Sequence, residues 1–311
     1  MSALLNRLLG SLGVLVAVSL VLFALIHANP VSPARVVLGN DASEEDIAAF
    51  DAEHGLDRPV AAQYLAWAGA ALRGDFGRSL VDDTSISRTI AQTMPVTLEL
   101  VIWAFLIALL VALPLGVISA LYEDRWIDHV ARALATIGVS IPGFWLGLML
   151  IAWGAVGLGW FPAGGYVSWQ QGAWPHLRAM VLPSLALGLY YVAIISRMMR
   201  SAMGDVMMAE HVRVSRAMGL GRGRLMLYAL RNALPPVITV SAMSFGYMFG
   251  WALIVEQVFT LPGMSRALLN AIFRRDYIVI LDVVLIITAI FLLANLLADA
   301  LHRLVDPRVA E

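Results

Sequence analysis

Six apolar runs, each long enough to cross a lipid bilayer as an α-helix, dominate this sequence. A spanning helix needs about 20 predominantly apolar residues, with a usual range of about 17–25. The chain is 60% hydrophobic and only 14% charged, whereas soluble domains carry about 25% charged residues. An all-α, polytopic membrane protein with six transmembrane helices is therefore predicted. The predicted spans are Leu8–Ala28, Leu100–Leu121, Ala133–Val156, Ala179–Ser196, Pro236–Val255 and Val279–Leu301.

The first run could also be read as a secretory signal peptide. It covers 21 residues, however, whereas the apolar part of a signal peptide usually covers about 7–15, and no clear cleavage site follows it. We therefore expect a retained transmembrane helix at residues 8–28.

The arginines predict the orientation of the chain, because short cytoplasmic loops are rich in basic residues. The segment 197–235 contains seven Arg, and segment 122–132 and the tail from residue 302 contain two each. These segments lie on the same side as Arg7, so both termini are predicted to be cytoplasmic. The segment 256–278 has three Arg and is an exception to the count.

The long segment 29–99 is predicted to lie outside the cell and to contain folded structure. Ser43 followed by three acids indicates a helix start, and Gly55 indicates its end. A second helix is expected from near Pro59 to near Gly74. We expect Ser43–Arg78 to fold over the outer mouth of the protein, with a solvated cap that only stabilises the first span as the alternative.

Proline and glycine recur within the runs, and most of them are expected only to permit close helix packing. The cluster Ser140–Gly143 differs because it places a proline kink next to a glycine in the middle of a predicted span. Flexing at this cluster is a hypothesis.

Patterns for catalysis, for nucleotide binding and for metal binding are missing from the sequence. The chain has no Lys and hence no G-x-x-x-x-G-K-[ST] loop, and it has no Cys. Its six His are scattered, and its net charge of −1 gives no indication of nucleic-acid binding. A non-catalytic subunit without a metal or cofactor of its own is predicted.

The centres of the predicted spans contain no ionisable residue, and four acids lie near span ends, where we expect interfacial anchors and partners of helix ends. These residues are Glu99, Glu256, Asp282 and Asp299. Because ionisable groups at membrane depth usually mark proton or ion coupling, their absence from the span centres argues against a proton-coupled carrier.

The stretch Glu210–Pro236 is polar and rich in Arg, yet it lies between two spans. A helix is predicted from Glu210 to Met218, a break at Gly219, and a second helix from Arg222 to Leu234. Such an exposed helix suits docking to a cytoplasmic partner, and a loop that only sets topology is the alternative.

Two parts of this stretch, Arg213–Gly219 and Leu230–Pro236, resemble the "EAA" cytoplasmic loop of ABC importer permeases. The loop departs from that pattern at Ser215 and Met218. Over nearly its whole length the chain resembles the dipeptide/oligopeptide/nickel permease family. The other matching stretches include Gly55–Pro59, Arg73–Ser79, Pro95–Leu100, Pro114–Val117, Ser140–Leu146, Trp160–Tyr166, Glu256–Phe259, Arg275–Tyr277 and Asp306–Arg308.

This resemblance implies a type I ABC importer permease fold in a bacterial cytoplasmic (inner) membrane. It implies the first of two permease subunits, working with two ABC ATPase subunits that bind Mg-ATP and with an extracytoplasmic solute-binding protein. Di- and oligopeptides are the expected cargo, with glutathione or chelated nickel as alternatives. The coupling helix is placed at about Ala209–Leu220. The coupling residues expected from the family pattern are Glu210, Arg213, Ser215, Arg216, Ala217, Gly219 and Leu220.

Large aromatic side chains near span centres are candidates for the substrate pathway, although helix packing would also explain them. These are Trp145, Tyr190, Tyr247 and Trp251.

Two rival functions are an ATP-independent secondary transporter and a membrane-embedded enzyme or scaffold. The predicted organisation is a tail and first span (1–28), an outer segment with short helices (29–99), a five-helix core (100–301) containing the coupling loop 197–235, and a cytoplasmic tail (302–311).

Overall fold

The computed structural model describes residues 2–28, 32–39 and 41–305, and it describes side-chain environments between residues 6 and 297. The matching stretch Asp306–Arg308 and the start of the outer segment at 29–31 lie outside the described residues. Within the described part, every element longer than an isolated β-bridge is helical, which confirms the all-α prediction.

Twelve α-helices follow one another in the described chain. They are α1 (Ser2–His27), α2 (Pro33–Leu38), α3 (Glu44–His54), α4 (Val60–Ala71), α5 (Ile86–Leu121), α6 (Trp126–Ser140), α7 (Gly143–Leu150), α8 (Ala173–Met208), α9 (Glu210–Ala217), α10 (Arg222–Val258), α11 (Met264–Arg274) and α12 (Tyr277–Val305). A π-helix at Ile151–Gly157 continues α7, and a 3₁₀ turn at Trp169–Gln171 precedes α8.

Five of these helices are long and apolar enough to cross a membrane by themselves. The segments that qualify are Asn6–His27, Ile86–Leu121, Ala173–Met208, Arg222–Val258 and Tyr277–Leu297. A bent pair, Trp126–Ser140 and Gly143–Gly157, provides a sixth if the pair counts as one span. The predicted number of spans is confirmed on that count.

The third predicted span, Ala133–Val156, is not one continuous helix, and the kink expected at Pro142 is a complete break between two helices. The chain turns by 103° between α6 and the helical segment that follows. Ile141 is extended (φ −83°, ψ 124°) because the ring of Pro142 disfavours a helical conformation at the residue before it. The break therefore lies at the Ser140–Gly143 cluster, whose flexing stays a hypothesis.

The helices on either side of α9 are longer than predicted. α8 continues to Met208 and α10 begins at Arg222, so the expected separate helix Arg222–Leu234 is the first part of α10. Pro235 and Pro236 do not end this helix. The buried row Ala229, Ala233 and Val237 continues across them at a spacing of four residues, so packing of one face holds the helix together.

Glycines allow two of these helices, α5 and α8, to approach closely. A Cβ on Gly188 would lie 2.7 Å from the carbonyl oxygen of Ala104, and a Cβ on Gly116 would lie 2.6 Å from that of Ser196. No side chain larger than hydrogen fits at either position without a shift of the backbone. These two glycines confirm the predicted role in close packing.

The chain divides into two compact units, one formed by Met1–Val96 with Pro262–Leu292 and the other by Thr97–Leu261 with Leu293–Glu311. The first unit has a core around Ile86, Met264 and Val283. It contains the helix predicted after Ser43, whose hydroxyl accepts a hydrogen bond from the Asp46 amide at 3.1 Å.

Candidate functional site

The predicted coupling helix is present as α9, and its two ends have clear physical causes. Glu210 lies in the first turn and Arg216 in the last, so both charges favour the helix dipole. Gly219 has φ +84°, a conformation that L-residues rarely adopt. The Gly219 amide donates to the Arg216 carbonyl at 3.1 Å, and the Leu220 amide donates to the Ser215 carbonyl at 3.2 Å. The chain therefore reverses sharply at the predicted break.

One face of α9 holds the helix on the protein. Val212 is fully buried, and the ring of His211 contacts the ring of Tyr228 on α10, with centroids 5.7 Å apart. Ala209 alone separates α9 from α8, and the segment 218–221 joins it to α10. A displacement of α9 is thus applied directly to two long helices.

The other face of α9 is open. The side chains of Arg213 and Arg216 are exposed, and so are the apolar side chains of Val214 and Met218. The remaining predicted coupling residues are also at least partly accessible: Glu210, Ser215, Ala217, Gly219 and Leu220. Sequence reasoning did not single out Val214, although an apolar residue next to Arg213 on a basic helix could have indicated a docking position.

The four aromatic pathway candidates do not form one group. Tyr190 and Trp251 line the same cavity, with ring centroids 6.3 Å apart. Trp145 and Tyr247 are 44% and 53% exposed and do not line that cavity. Tyr191, which the sequence analysis did not select, lines the cavity as well.

This cavity lies at the break between α6 and α7 and has a volume of about 420 Å³. Residues 139–144 form one wall, while residues of α8 and α10 form the rest. None of its lining residues carries a charge. We call it the break cavity.

Glu99 is the centre of a hydrogen-bonded cluster that the sequence did not predict. Tyr166 donates to Glu99 at 3.0 Å and Trp169 donates at 2.9 Å, while Nε2 of the buried His176 lies 2.6 Å from the carboxylate. Burial, the hydrogen bond to Glu99 and its charge together raise the pKa of Tyr166 to about 12. The cluster joins the segment after α7 to α5 and to α8.

Two other acids near span ends are buried in the protein rather than anchored at a membrane surface. Glu256 is fully buried and accepts a hydrogen bond from Thr97 at 2.6 Å. Asp282 is fully buried and accepts one from Trp67 at 2.9 Å. Each of these carboxylates accepts from a side chain within another helix, Thr97 of α5 and Trp67 of α4, so neither bond is made to a helix end.

An ion pair with a fully buried carboxylate joins α8 to α6. Arg200 donates twice to Asp128, at 2.7 Å and 2.8 Å, and the Ser119 hydroxyl donates to the same carboxylate at 2.5 Å. Arg200 had been counted only as a topology signal, and its partner could not be found from spacing because the two residues are 72 positions apart.

Among the described residues, no group of three potential ligands could hold a metal ion.

Two family models match the sequence. Residues 112–311 match "Binding-protein-dependent transport system inner membrane component", and residues 1–101 match the N-terminal model of the same transport systems. A putative peptide transport system permease protein from Brucella abortus (strain 2308) is 36% identical over 98% of both chains. A glutathione transport system permease protein, GsiC, from Salmonella typhi is 36% identical over 98% of this chain and 97% of its own.

Solved structures match at lower identity. An inward-facing MetNI methionine ABC transporter chain has a TM-score of 0.56 at 19% identity and covers 70% of this chain and 95% of its own. An amino acid ABC transporter with histidines has a TM-score of 0.50 at 19% identity, covering 71% of this chain and 94% of its own.

Proposed function

The chain belongs to the binding-protein-dependent transport system inner membrane component family, and from this premise we propose that it imports di- and oligopeptides as the first of two permease subunits. The chain is a multi-pass inner-membrane permease with the type I ABC importer fold, as its family and structural likenesses show. The remaining steps concern its partners, its cargo and its coupling residues.

The observation that carries the proposal is the exposed face of α9. An isolated basic helix in water has no need for exposed Val214 and Met218, which are 54% and 77% accessible. Apolar residues flanked by Arg213 and Arg216 suit a cleft that is apolar inside and acidic at its rim. We assign this face to an ABC ATPase subunit. This sequence has no phosphate-binding loop of its own, so Mg-ATP would be bound by that subunit.

Coupling would follow from the connections of α9. Closure of two ATPase subunits on ATP would move α9, and its short links would pass the motion into α8 and α10. These helices carry Tyr190 and Trp251, so the same displacement would change the shape of the break cavity. Alternating access would then be a shift between two packed states, with both termini in the cytoplasm and substrate delivered outside by a solute-binding protein.

Peptide is the first candidate cargo because relatives named as peptide permeases match over nearly the full length. Glutathione is the second, since relatives named for its transport match at the same identity. Chelated nickel follows only from the resemblance in motifs.

The proposal is tested by reconstituting the full importer in vesicles with its solute-binding protein, and measuring uptake of labelled dipeptide, oligopeptide and glutathione. We expect peptide uptake that requires ATP and the solute-binding protein. An importer with a hydrolysis-deficient ATPase subunit is the matched control and should be inactive. Uptake driven by a proton gradient without ATP would refute the proposal and favour a secondary transporter.

A further inference from the structure

The break cavity is lined by the first residues of a helix, Gly143 and Phe144. The first N–H groups of any helix lack a partner within that helix. In α7, no side chain caps the helix start, and the first internal bond runs from the Leu146 amide to the Pro142 carbonyl at 3.0 Å. Gly143 and Phe144 therefore begin α7 without helical acceptors, and both line the cavity.

A buried hydroxyl provides a second, independent sign of a ligand. Tyr191 is only 2% exposed, lines the same cavity, and its hydroxyl oxygen has no hydrogen-bond partner among the described residues. Leaving a buried polar group unpaired costs about 1–3 kcal/mol, so such groups usually have a partner. A molecule in the cavity that accepts a hydrogen bond would supply one.

The remaining walls define the rest of such a molecule. Tyr190 and Trp251 offer aromatic surfaces, and Leu187 and Ile254 add aliphatic ones. The lining residues include no cationic side chain to neutralise a carboxylate and no anionic one to bind an amino group. A neutral acceptor next to an apolar group fits these walls better than a charged chain terminus does.

We propose that the break cavity is a subsite for one internal residue of a transported peptide, with its backbone carbonyl accepting from Tyr191 and the start of α7, and its apolar side chain against Trp251. This inference rests on the proposed import of peptides and adds the chemistry of recognition. Broken helices with open N-termini recur at substrate sites in membrane transporters for the same physical reason.

The test measures uptake by the reconstituted full importer at saturating loaded solute-binding protein, for a peptide series with Gly, Ala, Leu or Phe at one internal position. Because the solute-binding protein is unchanged, the ratio of variant to parent rates for one peptide isolates the contribution of this chain. The variants are Tyr191→Phe, which removes only the hydroxyl, and Trp251→Ala. Their matched controls are Tyr122→Phe and Trp153→Ala, which are 40% and 69% exposed and lie outside the cavity.

We expect Tyr191→Phe to lower the rate about 3- to 10-fold for every peptide in the series, since each offers the same carbonyl. Trp251→Ala should lower the rate about 5-fold or more for Leu and Phe and less than about 2-fold for Gly and Ala. The control variants should match the parent. Because Trp251 is half exposed, its variant is expected to assemble even if Tyr191→Phe does not.

The proposal would be overturned if Trp251→Ala lowered the uptake of peptides with small and large side chains equally. It would also be overturned if Tyr191→Phe took up peptides at the parent rate while Trp251→Ala kept the parent's preference among the peptides. Either result would assign the cavity to packing or to a lipid chain, while peptide uptake by the parent protein would leave the proposed function standing. A parent importer that carries no peptide would overturn both.

Discussion

Replacing Gly219 with Val should lower both transport and the ATP hydrolysis stimulated by the solute-binding protein, without preventing assembly. Gly219 follows the end of α9 at φ +84°, and a Cβ built there would meet no atom within 4 Å. The expected penalty is therefore entirely one of backbone conformation. Gly221 is the matched control, because it also has open space but is extended (φ −61°, ψ 147°), a region that Val adopts readily.

The size of the effect follows from the cost of a left-handed conformation. An L-residue in that region costs about 1–2 kcal/mol, and a β-branched residue lies at the upper end. A cost of about 2 kcal/mol lowers the population of the native helix end about 30-fold. The chain can escape by unwinding the last turn of α9, which would break the bonds from the Gly219 and Leu220 amides. Either route displaces Met218 and Arg216 from their native positions, and Gly219→Ala should give a smaller loss.

The assay compares ATPase activity stimulated by the solute-binding protein with peptide uptake, in reconstituted importers normalised to assembled complex. Gly219→Val should lower both by about 10-fold or more, whereas Gly221→Val should stay within about 2-fold of the parent. Similar activities in the two variants would refute the reasoning, because the two substitutions differ only in the backbone conformation that they oppose.

Three further predictions concern the arginines of α9, the acids in and before α3, and the buried Asp276. The double variant Arg213→Ala/Arg216→Ala should reduce retention of the ATPase subunits in a pull-down. The control double variant Arg222→Ala/Arg224→Ala changes two other exposed arginines and should not reduce it. Equal retention in the two double variants would leave Arg213 and Arg216 a role in topology only. Replacing the acids of the outer helix region with Asn or Gln should flatten the dependence of solute-binding-protein docking on ionic strength, and an unchanged slope would refute a docking role. These acids are Asp41, Glu44, Glu45, Asp46 and Asp51. Burial raises the pKa of Asp276 above its ordinary value of 3.8. The carboxyl of Asp276 therefore adds most to the free energy of unfolding at pH below about 3.8, and this contribution is lost as the pH rises through the raised pKa. Between pH 4 and 8, the melting temperature of Asp276→Asn should therefore fall less than that of the parent. Parallel curves of melting temperature against pH for the two proteins would contradict this.

The sequence by itself determined the class of the protein and the position of the short helix α9. Six long apolar runs leave helices as the only way to satisfy the backbone in lipid, and this argument needs no knowledge of contacts. Local chemistry also placed the helix start at Ser43 and the reversal at Gly219, because caps and positive φ angles depend on residues only a few positions apart. The same local rules marked Pro142 as a kink, although they did not predict a turn of 103°.

Only the tertiary structure decided which residues face one another. Asp128 and Arg200 are 72 positions apart, and Glu99 and His176 are 77 apart, so neither pair produces a periodic signal in the sequence. The cavity depends in the same way on three separate segments, and Tyr190 and Tyr191 look alike in sequence until burial distinguishes them. The continuation of α10 through two prolines was also a tertiary result, because packing against α8 outweighs the loss of local hydrogen bonds that each proline causes.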